Sequence, residues 1–320
     1  MAQVTFENIT ITGGMTFDPV TGYNPFAIFG YGDNGPNLSI TNKVSTTGVV
    51  ANDTTGVGTA RLNLAAAGYG TDKAIFGYGS FGLTNTAITN LVSNTGVVAT
   101  DTAGVGTVRV YLAAAGYGTD KAIFGYGYTG TSNTAITNLV SNTGVVASNT
   151  TGVGTSRSHL AAAGYGTDKA IFGYGSDNDV TYYSMTNLVS NTGVVSSDTT
   201  GVGTSRIDLA ATGYGSSGQA IFGYGWAPGT STYSLTNLVS NTGVVASNTT
   251  GVGTARFGLA AAMYGGDKAI FGYGSTSSSS ATVVSITNLV SNTGVVSADV
   301  TGVGTARHYL AAASFGFGAI

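Results

Sequence analysis

All six arginines of the chain share one column. Arg61, Arg109, Arg157, Arg206, Arg256 and Arg307 each follow a Gly-Val-Gly-Thr-x segment and precede x-x-Leu-Ala-Ala. Brought to one end of a fold, six guanidiniums would form a ring whose forked donors hold an anion or a partner carboxylate. The alternative is that each bonds carbonyls of its surroundings or the acidic column Asp53, Asp101, Asn149, Asp198, Asn248 and Asp299. Because the arginine belongs to the repeat itself, a structural role is the expectation.

The remaining chemistry is sparse. Four of the five lysines sit in a second column, Asp72-Lys73, Asp120-Lys121, Asp168-Lys169 and Asp267-Lys268, and read as solvated turn charges. The one glutamate, Glu7, lies outside the repeats, so a catalytic carboxylate pair would have to be built from aspartates. His159 and His308 occupy different columns without His, Cys or Glu at ligand spacing, so no metal is expected. Asp177-Asn178-Asp179 reads as a solvated turn rather than a calcium loop. Gly-x-Gly-x-x-Gly occurs at Gly30, Gly77 and Gly125, but no helix pattern follows to receive a pyrophosphate. The expectation is a protein that is no enzyme and carries no cofactor.

A more informative signal is where the repeats differ. After each Gly-Tyr-Gly a loop changes in length and chemistry while its flanks stay nearly constant. The six versions span 33–38, 80–85, 128–133, 176–183, 226–233 and 275–284. They carry Phe81, Tyr128, Asp177, Asp179, Tyr182, Tyr183, Tyr233 and Trp226, the one tryptophan. Unlike loops on a constant scaffold are a usual way to build a binding surface, with Tyr and Trp as anchors.

Composition limits which elements can position these groups. Charged residues make up 8% of the 320, glycine supplies 51, and Thr, Ser, Asn, Val and Tyr fill much of the rest. Such a chain lacks the residues of solvated helices, yet with 42% hydrophobic residues and a net charge of −3 it is not disordered. An all-β fold remains. The absence of cysteine excludes disulfides and thiolate chemistry. The start carries no secretion signal, no apolar run reaches membrane-span length, and an acidic pI near 5.1 gives no electrostatic case for nucleic acid.

The repeat sets the architecture. Ala-Ile-Phe-Gly-Tyr-Gly begins at Ala27, Ala74, Ala122, Ala170, Ala220 and Ala269, and residues 74–121 match 122–169 at 38 of 48 positions. Each copy reads as four strands, exemplified by 112–118, 121–127, 136–142 and 144–147. In the second of these Ala122, Phe124 and Tyr126 alternate with Ile123, Gly125 and Gly127. Four-stranded units at this period predict a β-propeller of six blades, the Ala-Ala-Ala-Gly strand innermost. Repeats near 26–73, 74–121, 122–169, 170–219, 220–268 and 269–320 place the C-terminal strand in the blade begun at Phe26. Residues 1–25 form a separate attachment segment, read as a β-hairpin turning at Gly13-Gly14.

The run Arg-x-x-Leu-Ala-Ala-Ala-Gly-Tyr-Gly-x-x-Lys-Ala-Ile-Phe-Gly-Tyr-Gly followed by Thr-Asn-Leu-Val-Ser-Asn-Thr-Gly-Val-Val resembles the kelch repeat, in all six copies. That family has an Arg before the first strand, a glycine doublet ending the second, and a later Tyr and Trp. Here Gly-Tyr-Gly replaces the doublet, and Val97, Val145 and Val194 stand near the expected Trp. In style the near-identical, charge-poor repeats are also similar to virion proteins of tailed phages.

The functional expectation is therefore a structural or binding protein. It would be made in the host cytoplasm and carried in a phage virion as a tail fibre, baseplate or capsid-attached component. It would meet other virion proteins, a host-surface receptor or a glycan, with homo-oligomers allowed and no nucleic acid or membrane insertion. Two alternatives are a multivalent lectin using Tyr69, Tyr117, Tyr165 and Tyr214 in clefts between blades, and a kelch-type adaptor.

Overall fold

The computed structural model describes residues 25–177, 180–227, 232–277 and 282–316. Within them the protein is all-β, without an α-helix, and no helix is long and apolar enough to cross a membrane. The segment expected at residues 1–25 lies outside the described residues except for Pro25.

Three strands recur in antiparallel sheets. The chain opens with β1 (Phe26–Gly30) and β2 (Thr41–Val44). It continues with β3 (Ala65–Tyr69), β4 (Lys73–Gly77), a short hairpin of β5 (Ser80–Phe81) and β6 (Thr84–Asn85), and β7 (Thr89–Val92). Next come β8 (Ala113–Tyr117), β9 (Lys121–Gly125) and β10 (Thr137–Val140), then β11 (Ala161–Tyr165), β12 (Lys169–Gly173), a hairpin of β13 (Ser176–Asp177) and β14 (Thr181–Tyr182), and β15 (Thr186–Val189). The last sheets are β16 (Ala210–Tyr214), β17 (Gln219–Gly223) and β18 (Thr236–Val239), then β19 (Ala260–Tyr264), β20 (Lys268–Gly272) and β21 (Thr287–Val290). The final strand, β22 (Ala311–Phe315), pairs with β1 from Phe26↔Phe315 to Gly30↔Ala311, so the two ends of the described chain share a sheet.

Each middle strand stops where its sequence turns. Ala122 to Gly125 are fully buried on both faces, and the chain then enters the left-handed region at Tyr126 (φ 63°) and Gly127 (φ 103°). A tyrosine there costs roughly 1–2 kcal/mol. The cost is offset locally, because the Tyr126 ring is fully buried and its hydroxyl donates to Val153 O at 3.0 Å. Tyr31, Tyr78, Tyr174, Tyr224 and Tyr273 repeat this conformation. Tyr126 thus leaves the pleat, and the alternation expected through 127 ends at Gly125.

The expected fourth strand is not a full ladder. Val146 bridges Val140 and Thr150 bridges Thr137, so four residue steps oppose three and one extra residue is accommodated. This is a bulge. The buried Asn138 side chain fills the interruption, donating to Ala147 O at 2.9 Å and Asn149 Oδ1 at 3.0 Å. The hydrogen-bonded sheets therefore have three strands, with an edge segment held at isolated bridges.

Large residues pack on small ones between sheets. A methyl added at Gly125 would lie 2.7 Å from Phe172 Cζ, and the same juxtaposition brings Phe124 to Gly77, Phe76 to Gly30 and Phe29 to Gly272. Each first strand also lies against those of the sheets before and after it, with β22 between β19 and β3. Gly125→Ala is accordingly expected to destabilise the protein by about 1–3 kcal/mol through overpacking. A urea midpoint equal to that of the parent would contradict this packing.

Candidate functional site

The arginine column does not face solvent. All six side chains are 0% exposed. Arg157, at the junction of two sheets, donates from Nε to Tyr174 O at 2.7 Å, from Nη1 to Thr155 O at 3.1 Å and from Nη2 to Asn187 Oδ1 at 2.7 Å. Its guanidinium carbon lies 4.5 Å from the centre of the Tyr126 ring in the preceding sheet. Every arginine stands over the corresponding tyrosine in this way. The expected anion-binding ring is therefore not open to solvent, because the guanidiniums are buried among carbonyls and tyrosine ring faces, with Arg61 Nη2 and Arg109 Nε left without a hydrogen-bond partner. The acidic column pins the same junction. Asp198 accepts from Thr155 N and Oγ1 and from Asn187 Nδ2. Burial alone would raise its carboxyl, but the Thr155 and Asn187 hydrogen bonds and the Arg157 charge hold it below the usual range.

At the opposite end of the first strands the lysine column behaves as turn chemistry. Lys121 and Asp120 pair at 3.0 Å, and Asp120 also accepts from Asn142. A cavity of about 480 Å³ runs between the first strands, walled by Ala66, Ala114, Ala162, Ala211, Ala261 and Ala312. Of the tyrosines expected for a lectin cleft, Tyr69, Tyr117 and Tyr165 border this cavity, and all four are nearly closed to solvent. Tyr69, Tyr117, Tyr165 and Tyr214 are 4% exposed, and Tyr69 lies beneath Gly144 of the next sheet, where a methyl would meet it at 2.9 Å. Gly193, Gly243 and Gly294 stand in the same way over Tyr117, Tyr165 and Tyr214.

The variable loops lie at the arginine end. Their first residues bridge the segment just after each arginine, as in Val110↔Tyr128 and Ile207↔Trp226. Phe81 is half exposed and Leu83 beside it fully so. Tyr128, Asp177, Tyr182, Tyr183, Trp226 and Tyr233 are half-buried. The Tyr183 hydroxyl donates to Asp177 at 2.9 Å, and Tyr182 meets Trp226 of the next loop edge-on at 6.1 Å. Asp179 lies outside the described residues.

A second group at this end was not singled out from sequence. The residue two after each arginine, Asn63, Tyr111, His159, Asp208, Gly258 or Tyr309, has φ between 51° and 61°. Each donates its amide to the carbonyl of its counterpart one repeat earlier, as in Tyr111 to Asn63 and His159 to Tyr111, and Asn63 donates to Tyr309. The backbone is thus common to all six while the side chains are all but unlike. His159 donates from Nδ1 to Asp208 Oδ1 at 2.7 Å and stacks on Tyr111 at 3.7 Å between centroids. The Tyr309 hydroxyl points to Asp208 Oδ2 at 3.5 Å. His308 packs on Tyr309, and burial pushes its imidazole down against the pull of Asp33 and Asp208. The signal was present as the x-x pair in Arg-x-x-Leu, two changing positions inside an almost constant run. What hid it is that partners such as His159 and Asp208 stand 49 residues apart.

No known protein family matches the chain, and no curated protein matches it. The functional reading therefore rests on this geometry.

Proposed function

We propose that the chain is a non-enzymatic, kelch-like β-propeller of six blades that presents one asymmetric face to a single ligand. Several contacts between sequence-distant parts support the ring. These are the β22–β1 pairing, Phe29 against Gly272, the amide of Asn63 on Tyr309, and on the opposite face the amide of Gly316 on Asp72 O at 2.6 Å. A ring of this kind buries every sheet on both faces without leaving an end sheet exposed.

The observation that carries the binding role is where variation concentrates. At the lysine end Gly-Thr-Asp-Lys recurs unchanged at 70–73, 118–121 and 166–169, with departures at 215–219 and 265–268, whereas the loops and the residues following each arginine differ from repeat to repeat, all at the arginine end. A symmetric scaffold with one asymmetric face has one place to recognise an asymmetric partner, with Phe81, Tyr128 and Trp226 as its aromatic anchors. From the near-identity and low charge of the repeats we further propose that the setting is a tailed-phage virion, where the face meets a host receptor or a neighbouring subunit.

Two measurements test the reading. Mass spectrometry of purified virions from the source of this sequence should recover the chain at a fixed copy number, and its absence would remove the virion setting. The fluorescently labelled protein should bind intact host cells, and a Phe81→Ser, Tyr128→Ser double variant should lose that binding with an unchanged melting temperature. Undiminished binding by the variant would remove this face.

A further inference from the structure

The cavity of about 480 Å³ lies between β3, β8, β11, β16, β19 and β22, with residues of all six strands on its wall. The wall faces accessible space, because Ala66, Ala114, Ala211 and Ala312 belong to first strands yet are only half-buried. Two places further along each strand, where side chains return to the same face, stand Gly68, Gly116, Gly164, Gly213, Met263 and Ser314. Methyl groups and a thioether therefore supply most of the side-chain surface, and the volume falls in the range of small-ligand sites.

One end is closed. Toward the arginine end the space between the repeats narrows to a pocket of about 80 Å³. Side chains of non-adjacent repeats meet across it, with the Tyr111 and Tyr309 centroids 6.1 Å apart and the Tyr309 hydroxyl 3.5 Å from Asp208. The larger cavity is therefore entered from the lysine end.

The mouth at that end is charged on one side. Lys73, Lys121 and Lys169 border the cavity, and their side chains are 42–45% exposed. Each ammonium donates one hydrogen to the aspartate before it and has two more to give. The carboxylates turn the other way, since Asp120 and Asp168 use their second oxygens to accept from Asn142 and Asn191 in the turns after the third strands, both at 3.1 Å. Across the mouth stand Ser216, Gln219 and Gly266, without charge.

An apolar blind bore with three ammonium groups on one side of its rim is complementary to a ligand with an apolar tail and an anionic head. Depth sets the length of the tail. Ala66 lies three residues inward of Tyr69, the ladder partner of Lys73, or about 10 Å along the strand. A zigzag chain of about eight carbons, with bonds of about 1.5 Å, spans that depth.

We propose that this cavity binds a straight-chain alkyl carboxylate, its head beside Lys73, Lys121 and Lys169 and its tail along the alanine wall. The site lies at the end opposite the variable loops and is independent of the role proposed for them.

The test is isothermal titration calorimetry of the full chain with sodium octanoate at constant ionic strength. Saturable binding of one octanoate per chain is expected. Butyrate should bind at least about tenfold more weakly, because four fewer methylenes leave water. A Lys73→Gln, Lys121→Gln, Lys169→Gln triple variant should weaken octanoate at least about tenfold while leaving the neutral probe octanol unchanged. Ala66→Leu combined with Ala211→Leu, three sheets apart on the wall, should abolish binding of both probes. If the leucine variant shows no melting transition, the lysine variant, altered only at half-exposed side chains, still decides. No saturable binding, several octanoates per chain, equal affinity for butyrate, or an unchanged octanoate affinity in the lysine variant would overturn the proposal. Undiminished binding by a folded leucine variant would do the same. The Phe81→Ser, Tyr128→Ser variant should bind octanoate as the parent does, so the loop face and this cavity stand or fall separately.

Discussion

A chain ended at Leu310 is expected to lose its cooperative native state. The truncation removes β22, and with it five paired positions along the inner edge of β1, from Phe26↔Phe315 to Gly30↔Ala311. It also removes Phe315, which is buried and stacked on Phe26 at 5.7 Å, and the Ser314 hydroxyl bond to Met263 O at 2.7 Å. Loss of one buried aromatic side chain costs about 3–5 kcal/mol, and a stranded strand edge adds about 1–3 kcal/mol for each buried group left unpaired. Together these reach the roughly 5–15 kcal/mol by which a domain is stable. In an open array of repeats the same deletion would fray one end and leave the rest folded. Near-UV circular dichroism and limited proteolysis separate the two cases. Global loss of the melting transition is the expected result, whereas a transition within a few degrees of the parent, with proteolysis confined to the first sheet, would contradict the proposed ring.

Arg157→Ala is expected to cost about 3–5 kcal/mol, the range for removing one partner of a buried, fully bonded charge. The size follows from what is left behind. Tyr174 O and Asn187 Oδ1 each lose a 2.7 Å donor, Thr155 O loses its own, and the Tyr126 ring loses the cation packed on its face. The 3.8 Å approach to Asp198 contributes little to this figure, since that carboxylate is partly exposed and already bonded by Thr155 and Asn187. Arg157→Lys should recover only part of the loss, because a single ammonium cannot reach three acceptors set by a planar fork. Guanidinium denaturation measures both variants. A binding role for the column would appear instead as lost ligand affinity with the denaturation midpoint unchanged.

The two expectations concern the same physical feature, the junction between sheets, and it was only half legible in the sequence. The arginine column and the acidic column are visible as periodic residues, and periodicity alone pairs them with structure rather than ligand. Their actual partners are not visible. Arg157 takes its acceptors from Tyr174 and Asn187, residues 17 and 30 positions away, and no local pattern distinguishes these from an anion in a channel. The fourth strand shows the same limit. Turn residues and an apolar Val-Val suggest a strand, but the one-residue excess between Val140↔Val146 and Thr137↔Thr150 is a matter of register. The tyrosines considered for a lectin were equally ambiguous, since the cover of Tyr69 by Gly144 depends on the neighbouring sheet.

By itself the sequence determined the all-β class, the period and position of the repeated strands and the placement of variation beside Gly-Tyr-Gly. These follow from local rules, namely glycine-rich turns, two-residue alternation and self-similarity, that operate within one repeat. Tertiary structure alone decided which residues meet across repeats: the burial of every arginine, the pairing of β22 with β1, and the convergence of Asn63, Tyr111, His159, Asp208 and Tyr309 on one small pocket. The physical reason is separation along the chain. Each of those contacts joins residues of different repeats, so its existence depends on how the sheets pack rather than on what any one of them contains.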